Sequence, residues 1–83
     1  MTLGQVVFSK AGRDSGRKFV VVGIVDELHV LISDGDSRKI DKPKKKKLKH
    51  LEIMGQVPDD LQKKLKNGQS VTNSEIRRAL AVI

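Results

Sequence analysis

The residues best placed to do chemistry are cations. Lys10, Arg13 and Arg17 sit in one short stretch with Gly12 and Gly16. Arginine grips a phosphate or a base edge through two parallel hydrogen bonds, and glycine lets the backbone N–H groups come close to it. A denser cluster follows. Residues 38–50 hold Arg38, Lys39, Lys42, Lys44, Lys45, Lys46, Lys47 and Lys49 against Asp41 alone, with His50 at the end. This segment carries a net charge of +7, the charge of the whole chain, because residues 1–37 come to −1 and residues 51–83 to +1. Cations packed this densely repel each other, and a polyanionic partner relieves that cost. Recognition of a phosphate backbone is the chemistry these residues offer. The plainer alternative is a solvated face that only confers solubility.

Other chemistries lack the residues or the spacing. Ser9, Ser15, Ser33 and Ser37 have no convincing base and orienting carboxylate to activate them, so no enzyme is expected. Asp34, Asp36 and Asp41 do not follow the ligand pattern of a calcium loop. His29 and His50 have no second ligand at metal-binding distance in the sequence, so neither a metal nor a cofactor is expected. His29 reads as an outward strand residue, and His50 joins the basic surface. A nucleotide-binding loop needs four residues between its glycines and a helix behind it; here three separate Gly12 from Gly16, and Arg17-Lys18-Phe19 continues as a strand. There is no Trp or Tyr, and Phe8 and Phe19 both fall in strand-like runs. The chain therefore lacks the stacking platform of a single-strand binder, and a structured RNA read by shape and phosphate position fits better.

These side chains must be positioned by short strands. Residues 5–9 are β-branched and aromatic. Residues 18–26 contain Phe19-Val20-Val21-Val22-Gly23-Ile24-Val25, apolar on both faces, which predicts a central strand with a bulge or bend at Gly23. Asp26-Glu27 turns the chain into residues 28–33, where Leu28, Val30 and Ile32 share a face. Asp34-Gly35 is a hairpin signal leading to a fourth strand over residues 36–41, with Ile40 inward. Pro43 and the lysines are expected to interrupt pairing, and residues 48–53 to form the last strand. Five strands this short imply a small closed or half-closed sheet.

The tail changes period. Pro58, Asp59 and Asp60 suit a helix start, Leu61 and Leu65 lie four apart, and Asn67-Gly68 is a stop. Thr72 and Glu75 make a capping box ahead of Ile76, Leu80 and Ile83. At 83 residues without cysteine, one domain in a reducing compartment is expected. The start resembles no signal peptide, and the longest apolar stretch is too short to span a bilayer. A cytoplasmic protein with no membrane partner is the expectation.

The order of these parts resembles a KOW-motif protein. The motif is Gly4-Gln5-Val6-Val7-Phe8-Ser9-Lys10-Ala11-Gly12-Arg13-Asp14-Ser15-Gly16-Arg17, followed by the apolar strand. The turn at Asp34-Gly35, Arg38-Lys39-Ile40 and Lys42-Pro43-Lys44 also match, so the likeness covers roughly residues 4–53. The chain is similar to small bacterial KOW-domain RNA-binding proteins, related to KOW-type proteins of archaeal and eukaryotic large ribosomal subunits. The resemblance implies an SH3-like barrel, RNA binding in a ribosomal or transcription setting, and contacts from Ser9, Lys10, Gly12, Arg13 and Arg17. Many such loops end in Gly-Lys-Gly; Ser15-Gly16-Arg17 keeps the charge but loses one point of close backbone approach.

The expectation is then a mainly β protein: a five-stranded SH3-like barrel over residues 1–55 with a helical C-terminal appendage over residues 56–83. It binds structured RNA, plausibly ribosomal, without catalysis, through residues 10–17 and 38–50. The alternatives are a protein-interaction module docking on ribosomal or transcription components through the C-terminal segment, or a nonspecific nucleic-acid binder.

Overall fold

The computed structural model describes every residue, Met1–Ile83. The β-branched runs form three antiparallel neighbours: β1 (Gln5–Ser9), β2 (Lys18–Ile24) and β3 (His29–Ser33). β4 (Lys44–Lys47) and β5 (Leu51–Gln56) complete a five-stranded sheet ordered β4-β3-β2-β1-β5. A single 3₁₀ turn, Leu48–His50, carries the chain from β4 to β5. Two helices follow, α1 (Asp59–Lys66) and α2 (Asn73–Ala81). The architecture is an SH3-like barrel with a helical appendage.

β2 is central, and Phe19, Val20 and Val21 are all fully buried. Alternation along the strands sends neighbouring side chains to opposite faces. Val7, Phe19, Val21, Val30, Ile32 and Leu51 therefore fill the barrel interior. On the other face Val6 and Val20 pack under Val57, Leu61, Val71, Ile76 and Ala79. The helices thus cover an apolar sheet face that would otherwise meet water. Full burial of Phe19, Ile32 and Ile76 stabilises the fold by about 1.5–3 kcal/mol each.

The expected bulge lies where Gly23 stands: the β2–β3 register shifts between Val21 and Gly23. Both helix ends are built as the tail residues predict. Pro58 precedes α1 and Asn67 closes it, while the Thr72 hydroxyl accepts from the Glu75 N–H and the Glu75 carboxylate returns the bond to the Thr72 N–H. Lys18 Nζ donates to the carbonyls of Leu80 (3.3 Å) and Ile83 (2.6 Å), so a β2 cation serves the carbonyl end of α2.

Four expectations need correction. Residues 36–41 are not a strand but part of a long turn between β3 and β4. The lysine run does not interrupt pairing: it is β4, with Lys44, Lys45, Lys46 and Lys47 opposite Ile32, Leu31, Val30 and His29. Lysine has little preference for strands, but β3 offers a row of free N–H and C=O groups that the run satisfies. The last strand starts three residues later than expected, because Leu48–His50 is consumed in the crossing turn. Leu28 falls outside β3 and is 68% exposed, so it does not join Val30 and Ile32 on the buried face.

Candidate nucleic-acid interface

The loop between β1 and β2 closes on itself first. Ser9 N–H donates to Arg17 O and Gly16 N–H donates to Ser9 O, both at 2.9 Å. Ser9 itself is fully buried, its hydroxyl donating to Ala11 O at 3.2 Å. Gly12 adopts a φ of +78°, a left-handed conformation that side-chain-bearing residues rarely adopt. Lys46 Nζ donates to Ala11 O at 2.8 Å, close enough that a Cβ on Gly12 would stand 3.1 Å from that ammonium.

The turn after β3 is held by one carboxylate. Asp34 Oδ1 accepts from the N–H groups of Asp36 (2.9 Å) and Arg38 (2.8 Å), and Oδ2 accepts from the Ser37 hydroxyl (2.9 Å). Gly35, at φ +73°, lies so near α2 that a Cβ there would meet Asn73 O at 2.5 Å. Asn73 Oδ1 accepts from Ile40 N–H and Arg77 Nη1 donates to Gly35 O, so α2 braces this turn from behind.

The two loops then exchange ion pairs. Arg17 of the first reaches Asp34 of the second (3.4 Å), and Arg38 of the second reaches Asp14 of the first (3.6 Å). Lys44 Nζ lies 2.8 Å from the other oxygen of Asp14. Burial pushes the Asp14 carboxyl up, but Lys44, Arg38 and Lys46 outweigh it and hold the group below its ordinary value. Asp34 follows the same pattern: burial raises it, and the Arg38 and Asp36 N–H groups, Ser37 and Arg17 bring it lower still. Both carboxylates stay charged and act as internal counterions.

Residues 10–17 and 38–50, the two basic stretches of the sequence, are therefore stitched together. A further bond, Lys10 N–H to His50 O at 2.8 Å, joins them at the start of β5. Within the lysine strand the alternation sorts the side chains. Lys44 and Lys46 share the inward face with Ile32 and Val30 and are engaged by Asp14 and Ala11. Lys45 and Lys47 face outward and are exposed. Lys10, Arg13, Lys39, Lys42 and Lys49 are likewise exposed and engage no carboxylate of the chain. His50 is half-buried, and its imidazole is held below the ordinary histidine value by desolvation first, then by Lys49, Lys46, Lys47 and Lys10. The arrangement is a rigid loop pair with unpaired cations around it, suited to anions at fixed positions. Asp14 and Asp34 as organisers escape the sequence; the available hint, for Asp14 alone, is that it stands between Arg13 and Arg17.

The fold and its paired basic loops place the chain among small SH3-like barrels. No protein-family profile matches the sequence. The chain is 35% identical over 79 residues to the large ribosomal subunit protein eL14 of Staphylothermus marinus, covering 95% of this chain and 75% of that one. It is 36% identical over 78 residues to eL14 of Pyrobaculum calidifontis, covering 94% and 69%. It is also 32% identical over 71 residues to the candidate ribosome-binding protein YbzG of Bacillus subtilis, covering 86% and 96%. The chain belongs to the KOW-containing family that includes eL14 and YbzG.

Proposed function

We propose that the protein binds structured ribosomal RNA without catalysis, in the cytoplasm and on the ribosome. Residues 1–55, with the basic segment 38–50, carry the RNA contacts, and residues 56–83 brace them. Lys10, Arg13, Lys39, Lys42, Lys45, Lys47, Lys49 and His50 meet phosphates; Ser9, Gly12, Arg17, Arg38, Lys44 and Lys46 shape the loops and add charge. The observation that carries this reading is the exchange of ion pairs between Arg17–Asp34 and Arg38–Asp14, which fixes two cationic loops as one surface before any ligand arrives. The relatives named for the large ribosomal subunit and for ribosome binding support the same partner. Docking through the C-terminal segment is the less favoured reading, because Leu61, Val71, Ile76 and Ala79 are buried against the chain's own sheet.

The test is fluorescence anisotropy with folded ribosomal RNA fragments and length-matched duplex DNA across a salt series. Neutralising about five to seven phosphates gives a log–log slope of about −4 to −6. Arg13→Ala should weaken RNA binding about five- to tenfold and make the slope shallower by about one. Equal affinity for duplex DNA, lost together with RNA affinity as salt rises, would sink the shape-reading proposal.

A further inference from the structure

The end of the barrel opposite the β1–β2 loop and the turn after β3 has a different character. The turn between β2 and β3 exposes Ile24 (52%), Val25 (44%) and Leu28 (68%), which contribute little to the fold where they stand. Asp26 and Glu27 lie between them, both exposed. A shallow groove beside the turn is lined by Met1, Ile24, Val30 and Leu48. The backbone that carries these side chains is tied down. Leu28 N–H donates to Asp26 Oδ1 at 2.8 Å, the His29 ring meets the same oxygen at 2.9 Å, and Leu48 N–H donates to Leu28 O at 2.9 Å. The ring of His29 and the Leu28 N–H hold the Asp26 carboxyl below its ordinary value, so it keeps its charge.

We infer that this turn is a second docking surface, and that its partner is a protein segment combining apolar side chains with Lys or Arg. Two carboxylates repel phosphate, which makes the tip poorly suited to RNA. A cationic protein segment complements them, and its apolar side chains would cover Ile24, Val25 and Leu28. Such a preordered patch binds without first being ordered by its partner. Leu28 also borders Lys47 and Lys49. The partner therefore sits beside the RNA contact, and the chain bridges an RNA element and a basic protein of the same subunit. This inference rests on the ribosomal reading above.

The experiment compares the full chain with Glu27→Lys and Leu28→Asp, both at exposed positions, for binding to purified large ribosomal subunits and to protein-free ribosomal RNA fragments. Each substitution should weaken subunit binding about tenfold. Glu27→Lys should leave binding to the RNA fragments unchanged or tighter. A benzoylphenylalanine photoprobe at Leu28 should crosslink on the subunit to a peptide rich in Lys or Arg, and the same probe at Arg13 to RNA. Subunit binding by Glu27→Lys as tight as the parent, or a Leu28 crosslink to RNA or to nothing, overturns the inference and leaves the RNA reading standing. Failure of the parent to bind either subunits or fragments overturns the RNA reading and this inference with it.

Discussion

Asp14 illustrates how a buried carboxylate can organise a cationic surface. It is buried among Lys44, Arg38 and Lys46, and it ties the first loop to β4. Asp14→Ala removes a negative charge that repels RNA phosphate and raises the net charge, so charge counting alone predicts tighter binding. The geometry predicts the opposite: the loop loses its anchor, and affinity for folded RNA falls although the protein is more positive. Because Lys44 and Arg38 are partly solvated, the stability cost is about 2 kcal/mol, or a drop in Tm on the order of 10 °C for a chain of this size. Thermal melting and anisotropy on the same variant separate the two effects. The pH dependence has a fixed sign. The folded carboxyl lies below its unfolded value, so its contribution is present above about pH 4 and is lost as the pH falls through the folded value. Melting curves of Asp14→Asn should therefore converge with those of the parent under acid.

The lysine strand divides a uniform run of residues into two roles. Lys45→Ala with Lys47→Ala should lower RNA affinity and leave the melting temperature within a degree or two. Lys46→Ala should lower the melting temperature, since Ala11 O would lose its ammonium partner at a cost of about 1–3 kcal/mol. Equal effects of all three on melting would show that the inward–outward division does not operate. Strands β1, β2 and β3 were legible because Val-rich runs, a Gly bulge and an Asp-Gly turn all point the same way. The capping box at Thr72 and Glu75 was legible because it is a local arrangement. β4 was not, since nothing within Lys44–Lys47 favours a strand and the pairing is imposed by β3, more than ten residues upstream. The candidate site was readable in the sequence as two basic stretches. Their adjacency was expected too, but the ion pairs that join them were not, because they depend on Asp14 and Asp34 reaching across loops that are distant in sequence.

The whole chain behaves as one packed body, with the helices closing the outer face of β1 and β2. Truncation after Gln56 would expose Val6 and Val20, and such a fragment should lose its cooperative thermal transition; a sharp transition near that of the full chain would show the sheet needs no cover. The lysine strand has a consequence for the molecule's behaviour at high concentration. β4 is an end strand of the sheet, and its outer backbone groups have no partner strand. A second copy could extend the sheet there, but the outward Lys45 and Lys47 would face the same side chains of the other copy across a strand spacing of about 5 Å. The outward lysines of β4 would thus guard the open edge against pairing with a second copy. Replacing Lys45 and Lys47 with Thr or Val, which fit a strand better, should promote edge-to-edge association, read as a rise in light scattering with concentration.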